Sequence, residues 1–169
     1  MGNDCILYVE DNEHDSFLLR HAFEKAGVRH PLHVVADGLQ AISYLTGAGP
    51  GGNGAEHGIP CLVLLDLHLP VVSGLGVLEW IRAQPPLTTL PVIMFSSSAN
   101  PREVARAYRL RANSFIVKPS DPSRLLEFAR LLKSWWLEYN LFPGADGVNS
   151  RFSHPRADVP ADSPALAQC

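Results

Sequence analysis

The chain has 169 residues, 46% hydrophobic and 18% charged, with a formal net charge of −3. This implies one domain with a real core and no bulk electrostatic pull toward nucleic acid, and no window holds the ~18 uninterrupted apolar residues of a membrane span. The N-terminus meets acids early and has no basic region, which excludes a signal peptide, and Cys5, Cys61 and Cys169 form neither a disulfide framework nor a metal spacing. Reduced thiols in a cytoplasmic protein are therefore expected.

Cys5-Ile6-Leu7-Tyr8-Val9 is a short apolar run ending in Glu10-Asp11-Asn12, and it fits a strand. Asp15, Leu18, Leu19, Ala22, Phe23 and Ala26 then recur at helical spacing, with Asn12 or Glu13 at the start and Gly27 at the stop. Residues 31–36 form a second strand, and Asp37 caps a helix reaching about Thr46. Residues 46–60 hold six glycines and two prolines and read as a flexible loop, either a tolerated insertion or a partner contact. Cys61-Leu62-Val63-Leu64-Leu65 is a strand buried on both faces, and it ends in Asp66. A helix follows over residues 74–84, then a fourth strand over 91–95 ending in Ser96-Ser97-Ser98. Asn100-Pro101-Arg102-Glu103 starts the next helix as a capping box. Ser114-Phe115-Ile116-Val117 is a fifth strand ending in Lys118-Pro119, and Asp121-Pro122 opens a last helix to about Tyr139. Residues 141–169, with Pro143 and Pro155 among them and no periodicity, are expected to be a disordered or surface-draped tail, which leaves 1–140 as the domain.

Alternating strands and helices demand parallel strands joined by right-handed crossovers. In such a sheet the strand ends share one edge, where ligands bind. Glu10, Asp11, Asp66, Ser96 and Lys118 all fall on strand ends, so three carboxylates, a hydroxyl and an ammonium should converge. Each alone reads as an ordinary turn residue; their joint occurrence at successive strand ends does not. Two carboxylates at 4 Å repel by roughly 4 kcal/mol at an effective dielectric of 20. A hard divalent cation removes that penalty, and oxygen ligands with retained waters suit Mg²⁺. Lys118 offsets the remaining charge and can bind an incoming anion, and Ser96 can donate to a phosphoryl oxygen. The set suits formation of an acyl phosphate at Asp66.

These residues resemble the receiver domains of two-component response regulators. The matching segments are Val9-Glu10-Asp11-Asn12, Leu64-Leu65-Asp66-Leu67-His68-Leu69-Pro70, Gly74, Pro91-Val92-Ile93-Met94-Phe95-Ser96 and Val117-Lys118-Pro119, and the likeness spans about residues 3–139. It implies a flavodoxin-like (βα)5 α/β fold with five parallel strands in the order 2-1-3-4-5. It also implies that Asp66 takes a phosphoryl group from a sensor histidine kinase. Asp11, Asp66 and the His68 backbone carbonyl would hold Mg²⁺, with Glu10 acting mainly through a metal-bound water. Ser96 would follow the phosphoryl group and Lys118 would contact it. Phe115 would swing inward behind Ser96, although it stands where Tyr is commoner and also reads as a packed core residue. The Lys118–Pro119 bond would be cis, as in many members. The protein would be a phosphoacceptor, not an enzyme beyond slow self-dephosphorylation.

The stretches NEHDSFLLRHAFEKAG and HPLHVVADGLQAISYL, Ser-Ser-Ser-Ala-Asn and Trp135-Trp136-Leu137-Glu138 look like stand-alone receivers serving phytochrome-type histidine kinases. In the first helix Phe17 lies off the core stripe, as a kinase-docking anchor or a lone exposed apolar residue would. In the last, Leu125, Phe128, Leu132, Trp135 and Tyr139 form one stripe, while Leu126, Leu131, Trp136 and Leu137 lie partly outside it. One helix cannot bury all of these in one core, so a homodimer through it is expected, with cover by the tail as the alternative. The rival readings are a scaffold that only binds partners, a phosphohydrolase and a nucleotide- or flavin-binding domain. A phosphohydrolase of the aspartyl-phosphate kind would want an acid where His68 stands, and Gly74-Leu75-Gly76 lacks the third glycine of a dinucleotide motif.

Overall fold

Alternation of period two along each central strand splits the core into two halves. In the computed structural model, which describes residues 5–47 and 59–140 together with Pro143–Gly144 and Gly147–Val148, the strands are β1 (Ile6–Val9), β2 (Leu32–Val35), β3 (Leu62–Leu65), β4 (Val92–Ser96) and β5 (Ser114–Val117). They alternate with α1 (Glu13–Ala26), α2 (Gly38–Leu45), α3 (Gly74–Ala83), α4 (Pro101–Arg109) and α5 (Pro122–Leu132). All five strands are parallel, in the order β2-β1-β3-β4-β5. Leu7, Val9, Val63, Leu65, Val92 and Met94 face α2, α3 and α4. Ile6, Tyr8, Leu62, Leu64, Ile93 and Phe95 face α1 and α5, where Leu19, Phe23, Leu125 and Leu132 meet them. β1, β3 and β4 are buried on both faces, which is why they read as unbroken apolar runs.

Helix starts follow local chemistry. Asn12, Asp37, Ser73, Asn100 and Asp121 each turn a side-chain oxygen onto an early backbone N–H of the helix they open. Gly27, at φ 68°, closes α1 in the left-handed conformation that a Cβ disfavours. Only half of the box expected at α4 forms. Asn100 Oδ1 accepts from Arg102 N–H, but Glu103 turns away to the Ser98 hydroxyl, and the Asn100 N–H donates to Ser98 Oγ instead.

The last helix departs from a single stripe. After Leu132 the chain runs on as a π-helical stretch, Lys133–Tyr139, in which the Asn140 N–H donates to Trp135 O, five residues back. The wider turn shifts the phase. Leu137, five residues beyond buried Leu132, is itself buried, whereas Trp135 and Tyr139 are 69% and 68% exposed. The expected grouping of Trp135 and Tyr139 with Leu132 is therefore corrected, because it assumed 3.6 residues per turn throughout.

The Lys118–Pro119 bond is also corrected. No peptide bond among the described residues is cis. The trans form is the lower-energy one for an X–Pro bond, and with it the Lys118 ammonium already reaches three carboxylates. Most of the 46–60 loop and most of the 141–169 tail, Cys169 included, lie outside the described residues. Within the tail, Pro143–Gly144 and Gly147–Val148 pair as two short antiparallel strands.

Candidate functional site

Sheet register brings the polar residues together. Val9 lies beside Leu65, so Glu10 and Asp66 follow as neighbours, and the Asp66 N–H donates to Val9 O at 3.0 Å. Ser96 pairs with Val117, and the next residue, Lys118, donates its N–H to Ser96 O at 2.8 Å. The sequence placed Ser96 just past β4; it is the last residue of that strand and fully buried.

Glu10, Asp11 and Asp66 each offer a carboxylate oxygen, and these oxygens lie within 4.8 Å of one another. Glu10 and Asp66 are buried and Asp11 is exposed, so the cluster opens to solvent on one side. Its donors are all hard oxygens at close range, the chemistry that suits a small divalent cation. Tyr8 donates its hydroxyl to Glu10 Oε2 at 2.8 Å, and the Asn12 N–H donates to Glu10 Oε1 at 3.1 Å. Lys118 Nζ donates to Glu10 Oε2 and, at 3.0 Å, to Asp15 Oδ2, and it stands 3.6 Å from Asp66 Oδ1. That Asp66 oxygen is buried and accepts no hydrogen bond; Oδ2 accepts one from the His68 N–H at 3.3 Å.

Burial pushes the Glu10 carboxyl above its ordinary range, and Lys118 and Tyr8 only partly offset this. Burial pushes the Lys118 ammonium down, but Glu10, Asp66 and Asp15 outweigh it, so Lys118 is raised and stays charged. The Tyr8 phenol is raised strongly, first by burial and then by Glu10, so it remains a donor.

A second set of contacts borders the site. The Ser98 N–H donates to Ser96 Oγ at 3.4 Å, Ser98 Oγ donates to Glu103 Oε2 at 2.5 Å, and Glu103 Oε1 lies 3.4 Å from His68 Nε2. Phe115 is half-buried against the α3–α4 side of the core, and its N–H donates to Tyr108 Oη at 3.3 Å. Gly74 holds the loop after β3 against the site. Its N–H donates to Leu67 O at 3.0 Å, and a Cβ there would stand 1.9 Å from Asp66 O.

Sequence reasoning missed Asp15 and Glu103 as members of this region. Asp15 carried a signal, since it shares a stripe with Leu19 and Ala22, and an acid on an inward face needs a partner. Glu103 carried none beyond its capping position.

Residues 6–130 match the family model for the response regulator receiver domain. The chain is 35% identical over 139 residues to the probable methanogenesis regulatory protein FilR2 of Methanothrix harundinacea, covering 82% of this chain and 87% of that one. It is 34% identical over 140 residues to the response regulator Rcp1 of Synechocystis sp., covering 83% and 93%. Among solved structures it resembles the phosphorylated cyanobacterial phytochrome response regulator RcpA, with a TM-score of 0.76 at 33% identity, covering 85% of this chain and all of that one. It also resembles the Mn²⁺-bound form of Rcp1, with a TM-score of 0.74 at 31% identity, covering 83% and 99%. With the strand order and the strand-end cluster already in place, these matches identify the chain as a member of the response regulator receiver family.

Proposed function

We propose that the protein accepts a phosphoryl group on Asp66 from a sensor histidine kinase and, in response, switches a protein-binding surface. The observation that carries this reading is the bare Asp66 Oδ1, buried beside two further carboxylates and an ammonium. An Asp66 oxygen attacks the phosphorus of a phosphohistidine; the P–N bond breaks as the P–O bond forms, and the imidazole nitrogen leaves with the electron pair. Asp11, Asp66 and the His68 carbonyl would hold Mg²⁺, with Glu10 behind them. The ion, when bound, offsets carboxylate repulsion and the charge on the transferring group.

The chain's own residues do the rest. Lys118 supplies a fixed positive charge beside the acceptor oxygen. Ser96 offers a hydroxyl at the end of β4, and the Ser98 N–H bonded to it transmits any movement of Ser96 into the loop before α4. Phe115, packed behind on β5, follows Ser96. The α4–β5–α5 face then changes, and that face reads out the signal.

The likeness to RcpA, a phytochrome response regulator, supports a phytochrome-type kinase as donor, with exposed Phe17, stacked on His21, in its docking surface. The exposed side chains of Leu131, Trp135 and Tyr139 support a homodimer through the last helix. Leu131 and Trp135 border a groove of about 330 Å³ floored by Ile116, Phe128 and Leu132. No helix among the described residues is long and apolar enough to cross a membrane, and a cytoplasmic site of action fits such a kinase partner. The test is transfer of radiolabelled phosphate from an autophosphorylated phytochrome kinase. Label reaching the wild type but not Asp66→Asn supports the reading; equal labelling of both contradicts it.

A further inference from the structure

We propose that Asp15 is a positioning residue that holds the Lys118 ammonium back from Asp66 and so keeps the acceptor oxygen bare. The inference rests on the phosphoacceptor reading of Asp66.

A lysine ammonium has three N–H donors and no acceptor. Here Glu10 Oε2 takes one and Asp15 Oδ2 takes another at 3.0 Å. The Nζ–Oδ1 distance to Asp66 is 3.6 Å, beyond hydrogen-bond length, and Oδ1 accepts nothing. A buried carboxylate oxygen beside a buried ammonium would ordinarily close that gap, because a charge-assisted bond forms near 2.7–2.9 Å. Two competing carboxylates, approaching from β1 and from α1, stop it. Glu10 alone would not fix the position, since one tether leaves the flexible four-carbon stem free to swing toward Asp66. Asp15 supplies the second tether, from the first turn of α1 and 103 residues away in sequence.

The arrangement solves a specific problem. Lys118 must be near enough to meet an incoming phosphoryl oxygen, yet an Asp66 oxygen that accepts a hydrogen bond from it is a poorer nucleophile. Held at 3.6 Å, its third donor remains available for the phosphoryl group without occupying the atom that attacks. A first-turn acid usually serves only to complement the helix dipole. Asp15 is 35% exposed, but its carboxylate reaches a lysine that is 12% exposed, and no solvated first-turn acid does that.

The test measures phosphorylation by acetyl phosphate with Mg²⁺ in the full chain, using Asp15→Ala, Asp15→Asn, Lys118→Ala and the Asp15→Ala/Lys118→Ala double variant. Asp15→Ala should phosphorylate about tenfold more slowly, the scale of one hydrogen bond to a charged group that must break first. Asp15→Asn keeps an acceptor for Lys118 and should recover most of that loss. In the Lys118→Ala background, Asp15→Ala should add nothing, because the two act as a unit. A wild-type rate in Asp15→Ala, equal slowing by Asn and Ala, or a full Asp15 effect without Lys118 would each overturn the proposal. A crystal structure of the Asp15→Ala protein decides the positional claim even if no variant takes up phosphate, an outcome that would sink the phosphoacceptor reading instead. The Nζ–Oδ1 distance should contract to hydrogen-bond length, and a distance unchanged from 3.6 Å would refute the tether.

Discussion

Gly74→Ala is the substitution whose cost the structure defines most directly. The new Cβ would stand 1.9 Å from Asp66 O, 2.9 Å from Asp66 C and 3.0 Å from Leu67 Cα, where ordinary contact begins at 3.4 Å. All three are backbone atoms, so no side chain can rotate away. The start of α3 and the end of β3 must part by about 1.5 Å, and the Gly74 N–H bond to Leu67 O is lost with them. Overpacking costs about 1–3 kcal/mol, and backbone on both sides argues for the upper end. At roughly 2–4 °C per kcal/mol for a chain of this size, the melting temperature should fall by about 6–12 °C. The displaced atoms carry Asp66, the proposed acceptor, and a ~1 Å misplacement of a reacting group is worth about 100-fold in rate. Thermal unfolding by circular dichroism and phosphorylation by intact mass are the two assays. Gly76→Ala is the control, since its Cβ would meet only side-chain atoms of Val72 and Ser73, at 3.1 and 3.5 Å, and alanine favours a helix by up to ~1 kcal/mol. It should leave the rate unchanged and the melting temperature equal or higher. If Gly74→Ala matched Gly76→Ala in both assays, the close packing of α3 on the acceptor segment would be wrong.

Three other perturbations follow from the same geometry. Glu10 titrates above its ordinary 4.5 because it is buried, so its contribution to stability is full below 4.5 and is lost as pH rises through the higher folded value. Relative to Glu10→Gln, which does not titrate, the metal-free wild type should therefore lose melting temperature as pH rises above 4.5, and a rising difference would contradict this. Arg82→Ala should cost about 3 kcal/mol in urea unfolding, because it strips donors from Leu90 O, Arg111 O and Asn113 Oδ1 at 2.8–3.1 Å; a loss below ~1 kcal/mol would show those acceptors finding other partners. Trp135→Asp replaces a side chain that is 69% exposed, so the monomer should fold as before while a dimer through the last helix should dissociate in analytical ultracentrifugation. A dimer that persists in this variant would place the interface elsewhere.

What the sequence disclosed was whatever depends on neighbours along the chain. The apolar runs of β1, β3 and β4 mark strands buried on two faces, and the polar residue ending each run marks the site edge. Helix starts were legible because Asn12, Asp37 and Asn100 act on N–H groups two or three residues ahead. The strand order was not derivable from pattern and came with the family resemblance. What stayed hidden depends on reach across the fold. The Lys118 stem finds Asp15 from the far end of the chain, and Glu103 abandons its expected capping bond for the Ser98 hydroxyl. The π-helical turn after Leu132 has no local signature, so Leu137 looked peripheral and proved buried. Val71 is a further case. It adopts φ 65°, with the Val72 N–H on Pro70 O at 2.8 Å, a tight turn that propensity would refuse to a β-branched residue. It lies in the exposed turn between Asp66 and α3.

Asp66 is proposed as the phosphoacceptor of a metal-dependent site. Intact mass after incubation with acetyl phosphate, with and without Mg²⁺, beside Asp66→Asn, tests it most directly. A single phosphoryl mass gain is expected in the wild type, requiring Mg²⁺ and absent from Asp66→Asn. A gain that persists in Asp66→Asn, or no gain together with no binding of beryllofluoride, would contradict it.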